Sequence, residues 1–217
     1  MKTRILLFVL ICAGTLHAQS PGFRFGPRFG IGASQFTHMP GATSKLAVQA
    51  NLVASKQLTT FFAVQFCPWT GMFGSDRQGI VQDAAPTGRA RLYTYHDSYH
   101  VFSVGFPLLA KFSVPMGHNF YLSAFAGPSI TFNMGGTHTK QYDDPMYNQR
   151  DGYVSHPMDD LARSMNSGIV GCGLEFETAK SIIGLDVQWN EYLPPVGQLE
   201  GTPYGARSLM VGISWIH

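Results

Sequence analysis

The chain has 217 residues, of which 45% are apolar and only 13% charged; 16 are Phe, and the formal net charge is +2. A soluble protein usually carries about a quarter charged residues, and a charge this close to balance, with no basic run, argues against nucleic acid as a partner. After the N-terminus no stretch approaches the roughly 18 apolar residues of a spanning helix, which leaves a transmembrane β-barrel as the membrane class and a secreted soluble barrel as its competitor.

The chain opens on an address. Lys2 and Arg4 precede the apolar run 5–16, and Ala18 followed by Gln19 forms a cleavage point, the order of a secretory signal peptide. Residues 1–18 are therefore expected to be removed on export, leaving 19–217 as one domain. Cys12 follows Ile11, too bulky for a lipoprotein box, and counts as part of the signal's apolar core.

From residue 23 onward apolar side chains recur at every second position, the mark of strands whose faces meet different surroundings. The first segment, 23–36, places Phe23, Phe25, Phe29, Ile31 and Ala33 opposite Arg24, Gly26, Arg28, Gly30, Gly32 and Ser34. The second, 46–54, sets Val48, Ala50 and Leu52 against Gln49 and Asn51. A tight turn at 55–58 leads to a third, where Phe62, Val64 and Phe66 oppose Ala63, Gln65 and Cys67. In the fourth, 100–114, Phe102, Val104, Phe106, Leu108, Ala110 and Phe112 face away from Ser103, Gly105, Lys111 and Ser113. A turn at 115–118 starts the fifth, 119–134, with Phe120, Leu122, Ala124, Ala126, Ile130 and Phe132 opposite Tyr121, Ser123, Gly127, Ser129, Thr131 and Asn133. The sixth, 167–178, turns Val170, Leu174 and Phe176 away from Gly171, Gly173, Glu175 and Glu177. Ala179 and Lys180 form the turn into the seventh, where Ile183, Leu185, Val187 and Trp189 alternate with Gly184, Asp186, Gln188 and Asn190. The eighth opens at Arg207 and sets Leu209, Val211, Ile213 and Trp215 against Ser208, Met210, Gly212 and Ser214.

The connections alternate too. Short turns at 55–58, 115–118 and 179–180 are interleaved with long segments at 37–44, 74–98, 135–166 and 194–206. Short periplasmic turns, long outer loops, an even strand number and both termini on the inner side are the plan of an outer-membrane barrel. The pattern predicts an all-β, eight-stranded, antiparallel up-and-down transmembrane β-barrel in the outer membrane, reached after signal-directed export.

The Phe-rich parity suits lipid, where a Lys or Arg costs about 2–4 kcal/mol at the midplane. The other parity carries Arg24, Arg28, Lys111, Glu175, Glu177 and Asp186, an expected network of paired charges in the lumen, because a lone buried ion is very costly. An eight-stranded barrel is just wide enough for its own side chains to fill, which favours a packed interior over a polar conduit. Cys67 and Cys172 fall on opposite parities and are expected to stay free thiols.

Two strands resemble a known family. SVGFPLLAKFSV at 103–114 and NFYLSAFAGPSITF at 119–132 are similar to the PorT-like outer-membrane β-barrel family, on Pro107, Leu108, Leu109, Lys111, Phe120, Tyr121, Gly127 and Pro128. The opening FGPRFGIGASQF and the closing ARSLMVGISWIH look like that family's first and last strands. The chain departs from the pattern at Gly105 and Phe106 and ends on His217 rather than an aromatic residue. The resemblance implies an integral outer-membrane barrel, usually without a defined activity, whose namesake serves type IX protein secretion.

Loop chemistry leaves alternatives open. Arg91, Tyr93, Tyr95, Tyr142, Tyr147, Arg150 and Tyr153 form a candidate recognition surface, since aromatic and charged residues on loops often bind partners; the plain alternative is a solvated loop. His96 and His100, Asp143 and Asp144, and Asp159 and Asp160 match no metal-ligand spacing, so no metal and no cofactor are expected. Ser98 and His100 are the nearest approach to a hydrolytic pair, without a carboxylate in evident register, and no catalytic residue is assigned. The reading is a non-enzymatic structural or accessory barrel, surrounded by outer-membrane lipid including lipopolysaccharide, with protein partners in a secretion or surface complex and none of nucleic acid. The alternatives are a barrel that binds a small ligand in a cavity lined by Phe61, Trp69 and Phe125, and a lipid-modifying enzyme built on His100.

Overall fold

In the computed structural model the alternating segments are antiparallel strands throughout; the structure describes residues 22–84, 90–142, 154–158, 160–199 and 202–217. In chain order these are β1 (Phe23–Thr37), β2 (Ala42–Gln57), β3 (Phe62–Phe66), β4 (Trp69–Ala84), β5 (Ala90–Pro115), β6 (Phe120–Tyr142), β7 (Val154–Pro157), β8 (Ser164–Glu177), β9 (Ile182–Leu199) and β10 (Thr202–Ile216). The expected signal peptide, 1–18, lies outside the described residues.

Among the described residues nine of the ten strands fill eight places in a ring. β3 and β4 follow one another between β2 and β5, interrupted at Cys67 and Pro68. Proline has no N–H to donate to a ladder, so the strand breaks there, while the Pro68 carbonyl still accepts from Leu52 N at 2.9 Å. β7 is a short flank on the outer part of β6. The ring runs β1, β2, β3/β4, β5, β6, β8, β9, β10 and closes where β10 pairs with β1 from Arg28↔Ser214 to Thr37↔Gly205. His217 extends the seam, exchanging two backbone hydrogen bonds of 2.9 Å with Phe25. Closure matters because an open sheet edge in lipid would leave backbone groups unsatisfied.

The two parities become an outer and an inner wall. Phe29, Ile31 and Leu46 are about 60% exposed, whereas Arg28, Gln49, Asn51 and Gln188 are buried. Apolar outside and polar inside is costly in water, where contiguous apolar patches rarely exceed a few hundred Å². It is the stable arrangement in a bilayer. Cys67 faces the lumen and Cys172 the outside, both as free thiols.

One expectation is corrected. The described residues of the long segments 74–98, 135–166 and 194–206 are mostly strand, since β4 continues to Ala84, β5 begins at Ala90, β6 continues to Tyr142, and β9 and β10 approach to Leu199 and Thr202, while 37–44 keeps a turn at 38–41 between β1 and β2. Alternation records where one face meets lipid, and it ends at the headgroups. The hydrogen-bonded ladder does not, because water tolerates polar residues on both faces. On β5 the outward apolar residues span Phe102 to Val114, and everything from His100 towards Ala90 stands above them.

Candidate functional site

The lumen is layered from the inner, short-turn end outward. The six charged lumen residues meet there as three pairs. Arg24 Nη2 lies 2.7 Å from Glu177 Oε1, half exposed at the mouth. Deeper, Arg28 Nε donates to Asp186 Oδ2 at 2.8 Å while Nη2 contacts Oδ1, and Lys111 pairs with Glu175; all four side chains are nearly buried. The forked Arg28 contact requires room, and Gly212 supplies it: a Cβ there would stand 2.5 Å from the Arg28 Nη2 atom.

A cavity of about 220 Å³ opens at the inner mouth, lined among others by Arg24, Gln57, Gln65, Tyr121, Glu175 and Glu177. Lys111 and Glu175 also border a second cavity of about 40 Å³ beside Arg28, Cys67 and Asp186. Above these the lumen is closed. Phe73 stacks on Tyr192 at 4.9 Å, Phe36 lies against Tyr204 at 4.8 Å, and Trp69, Tyr99, Met165 and Met210 are buried around them. Gly105 permits this packing, because a Cβ there would lie 2.2 Å from the Trp69 indole nitrogen. Among the described residues the lumen is therefore a well that opens at its inner end beneath an aromatic plug. The expected pocket of Phe61, Trp69 and Phe125 does not form. Trp69 belongs to the aromatic plug, Phe125 lines the small cavity, and Phe61 is exposed beside Phe112 at the inner rim.

A bulge in β2 between Ser44 and Val48 marks the outer boundary on the lipid side. There Lys45 Nζ contacts Asp76 Oδ1 at 2.9 Å and also touches Ser98, whose hydroxyl donates to the same Asp76 oxygen at 2.7 Å. Burial pushes the Asp76 carboxyl up, but the hydrogen bonds from Lys45 and Ser98 and the Lys45 charge outweigh it and hold it below its ordinary value. His100 is held low by burial first and by Lys45 second, with Asp76 opposing. The Ser98 hydroxyl is thus engaged by Asp76 and Lys45 rather than by His100. Among the described residues no cluster of three His, Cys, Asp or Glu side chains could hold a metal.

Above the boundary β4, β5, β6 and β7 form a wall. Across its inward face Arg77, Asp97 and Lys140 stand in one row, with Tyr99 and His138 in the next row towards the membrane. Asp97 is buried, its Oδ1 3.1 Å from His138 Nε2 at ion-pair distance without hydrogen-bond alignment. The Tyr99 ring stacks on His138 at 4.5 Å and 5°. Lys140 Nζ sits 4.4 Å from the Tyr95 ring centre and 5.3 Å from that of Tyr142, so these two candidate recognition residues share one cation. Arg91 and Tyr93 lie near the tip of β5. Tyr147, Arg150 and Tyr153 fall outside the described residues, as do Asp143, Asp144 and Asp159. The plug residues Phe36, Phe73, Tyr192 and Tyr204 were missed as a group, although Phe36 already falls on the inward parity of the first segment.

A closed ring with an apolar belt, a packed polar interior and one-sided long hairpins defines a transmembrane β-barrel of the Gram-negative envelope. Residues 17–190 match the family model described as outer membrane protein beta-barrel domain, and the chain belongs to that family, in the outer membrane. Among solved structures it is similar to the Neisserial surface protein A, with 11% identity, a TM-score of 0.47, and 89% of this chain and 96% of that one covered. The attachment invasion locus protein Ail of Yersinia pestis follows at 14% identity and a TM-score of 0.36, covering 91% of this chain and all of the other. The outer membrane protease OmpT of Escherichia coli is similar at 8% identity and a TM-score of 0.36, covering 91% and 96%. No curated protein matches the chain in sequence.

Proposed function

We propose that this protein is a non-catalytic accessory barrel of the PorT-like type, which holds its outer wall at the cell surface for a protein partner in secretion or surface assembly. The observation that carries the reading is the division of labour along the strands. The lumen is closed by Phe36, Phe73, Tyr192 and Tyr204, while β5 and β6 continue well past the apolar belt as paired strands in water. A channel needs an open interior, and a lipid-modifying enzyme needs a free nucleophile beside its base. In this protein the Ser98 hydroxyl is bound to Asp76. Lipid, including lipopolysaccharide in the outer leaflet, surrounds the belt as solvent. Purification from membranes in mild detergent tests the reading: a partner protein co-purifies with the full chain and is lost when the outer parts of β4 and β5 are replaced by a short turn. Conductance in planar bilayers, or hydrolysis of lipid A by the pure protein, contradicts it.

A further inference from the structure

On the outside of β10 the residues Leu209, Val211, Ile213 and Trp215 belong to the apolar belt, and the exposed Arg207 continues the same parity towards the outer end. An arginine facing lipid is costly at the midplane and inexpensive at the interface, where its apolar stem lies on the belt and its guanidinium reaches the headgroups. The cross-strand neighbours of Arg207 are Gln35 on β1 and Glu191 on β9. Glu191 is the obvious ion-pair partner, yet its Oε2 accepts from the Trp189 indole N–H at 3.2 Å. Among the described residues no carboxylate lies at ion-pair distance from Arg207. Neutral groups fix the guanidinium instead. Its Nη2 donates to Gln35 Oε1 at 3.1 Å, while Gln35 Nε2 donates to the Ala42 carbonyl at 2.7 Å. The Trp189 ring centre lies 5.9 Å from the guanidinium carbon.

We infer that Arg207, Gln35 and Glu191 form an outward-facing site for the phosphorylated sugar headgroup of an outer-leaflet glycolipid, lipopolysaccharide. A positioned guanidinium fork matches a phosphate in charge and geometry, and Arg207 stands at the depth of the headgroups on the side of the long hairpins. Glu191 selects what accompanies the phosphate. Its carboxylate repels a bare phosphodiester, whereas it accepts a hydrogen bond from a sugar hydroxyl. Donor and acceptor side by side therefore favour a sugar phosphate over a glycerophospholipid. The site lies on the lipid face of β9, β10 and β1, away from the outer wall of β4 to β7, so it stands independently of any partner protein.

The test uses the full chain extracted from outer membranes into mild detergent. It is titrated with diphosphoryl lipid A, with the dephosphorylated form, and with phosphatidylglycerol, and bound lipid is counted by native mass spectrometry. Diphosphoryl lipid A should bind saturably, one per barrel. Removing its phosphates, substituting phosphatidylglycerol, or changing Arg207→Gln should each weaken binding about tenfold or more, the loss of one charge-assisted contact. Lys180→Gln, at the inner turn, should bind as the wild type does. Equal binding of the dephosphorylated form or of phosphatidylglycerol to the wild-type chain overturns the proposal, whether or not the variant folds. Undiminished lipid A binding by an Arg207→Gln chain that keeps its heat-modifiable mobility overturns it too. Neither result bears on whether a partner protein co-purifies.

Discussion

Replacing Asp186 by Asn tests what the lumen charges contribute. The change keeps the shape but leaves the Arg28 guanidinium, 6% exposed, without its carboxylate. Breaking a buried pair by removing one partner costs about 3–5 kcal/mol, because the surviving charge stays desolvated. The Arg24–Glu177 pair at the mouth is 40% and 31% exposed; water screens it, and Glu177→Gln should cost about 0–1 kcal/mol. Replacing both deep partners together, Arg28→Met with Asp186→Leu, removes the stranded charge and should recover most of the loss. Urea unfolding from lipid vesicles, followed by tryptophan fluorescence, reads all three. Equal losses for Asp186→Asn and Glu177→Gln, or a double variant no better than the single one, would refute the argument that burial sets the cost.

The plug makes the lumen blind, so the wild-type chain should show no steady conductance in planar bilayers, and Phe73→Ala with Tyr192→Ala should lose about 3–5 kcal/mol per ring and open a measurable leak. The free thiols face opposite ways: in the folded chain a lipid-soluble maleimide should label Cys172 and spare Cys67, and reducing agent should leave gel mobility unchanged. Acid should weaken the outer rim in two steps. His100 and Asp76 both bind protons less tightly folded than unfolded, so each contributes fully above its unfolded value and loses that contribution as pH falls through the folded one. Urea midpoints should begin to drop below pH 6.5 in wild type but not in His100→Gln, and Asp76→Asn should remove the further drop below pH 3.8.

The ring was legible because lipid imposes a strict period. Leu209, Val211, Ile213 and Trp215 alternate with inward residues to the end of the chain, and β10 closes on β1 at that register. Strand ends were not legible. Gln78 to Ala84 and Ala90 to His96 pair in water, where neither face must be apolar. The plug escaped for a related reason: Phe36, Phe73 and Tyr192 share the polar parity, and their convergence depends on shear between strands far apart in sequence. The Lys45, Asp76 and Ser98 cluster depends on a one-residue bulge in β2, which no composition signals. Pro68 breaks the strand between β3 and β4, and the restart at Trp69 lies in the same ladder.

This chain spans the outer membrane as a closed barrel. Heat-modifiable mobility of the full chain, extracted from outer membranes, tests it most directly. An unboiled sample should migrate ahead of the boiled one and remain in the membrane fraction through a high-salt wash. Identical mobility before and after boiling, with the protein in the soluble periplasmic fraction, would contradict it.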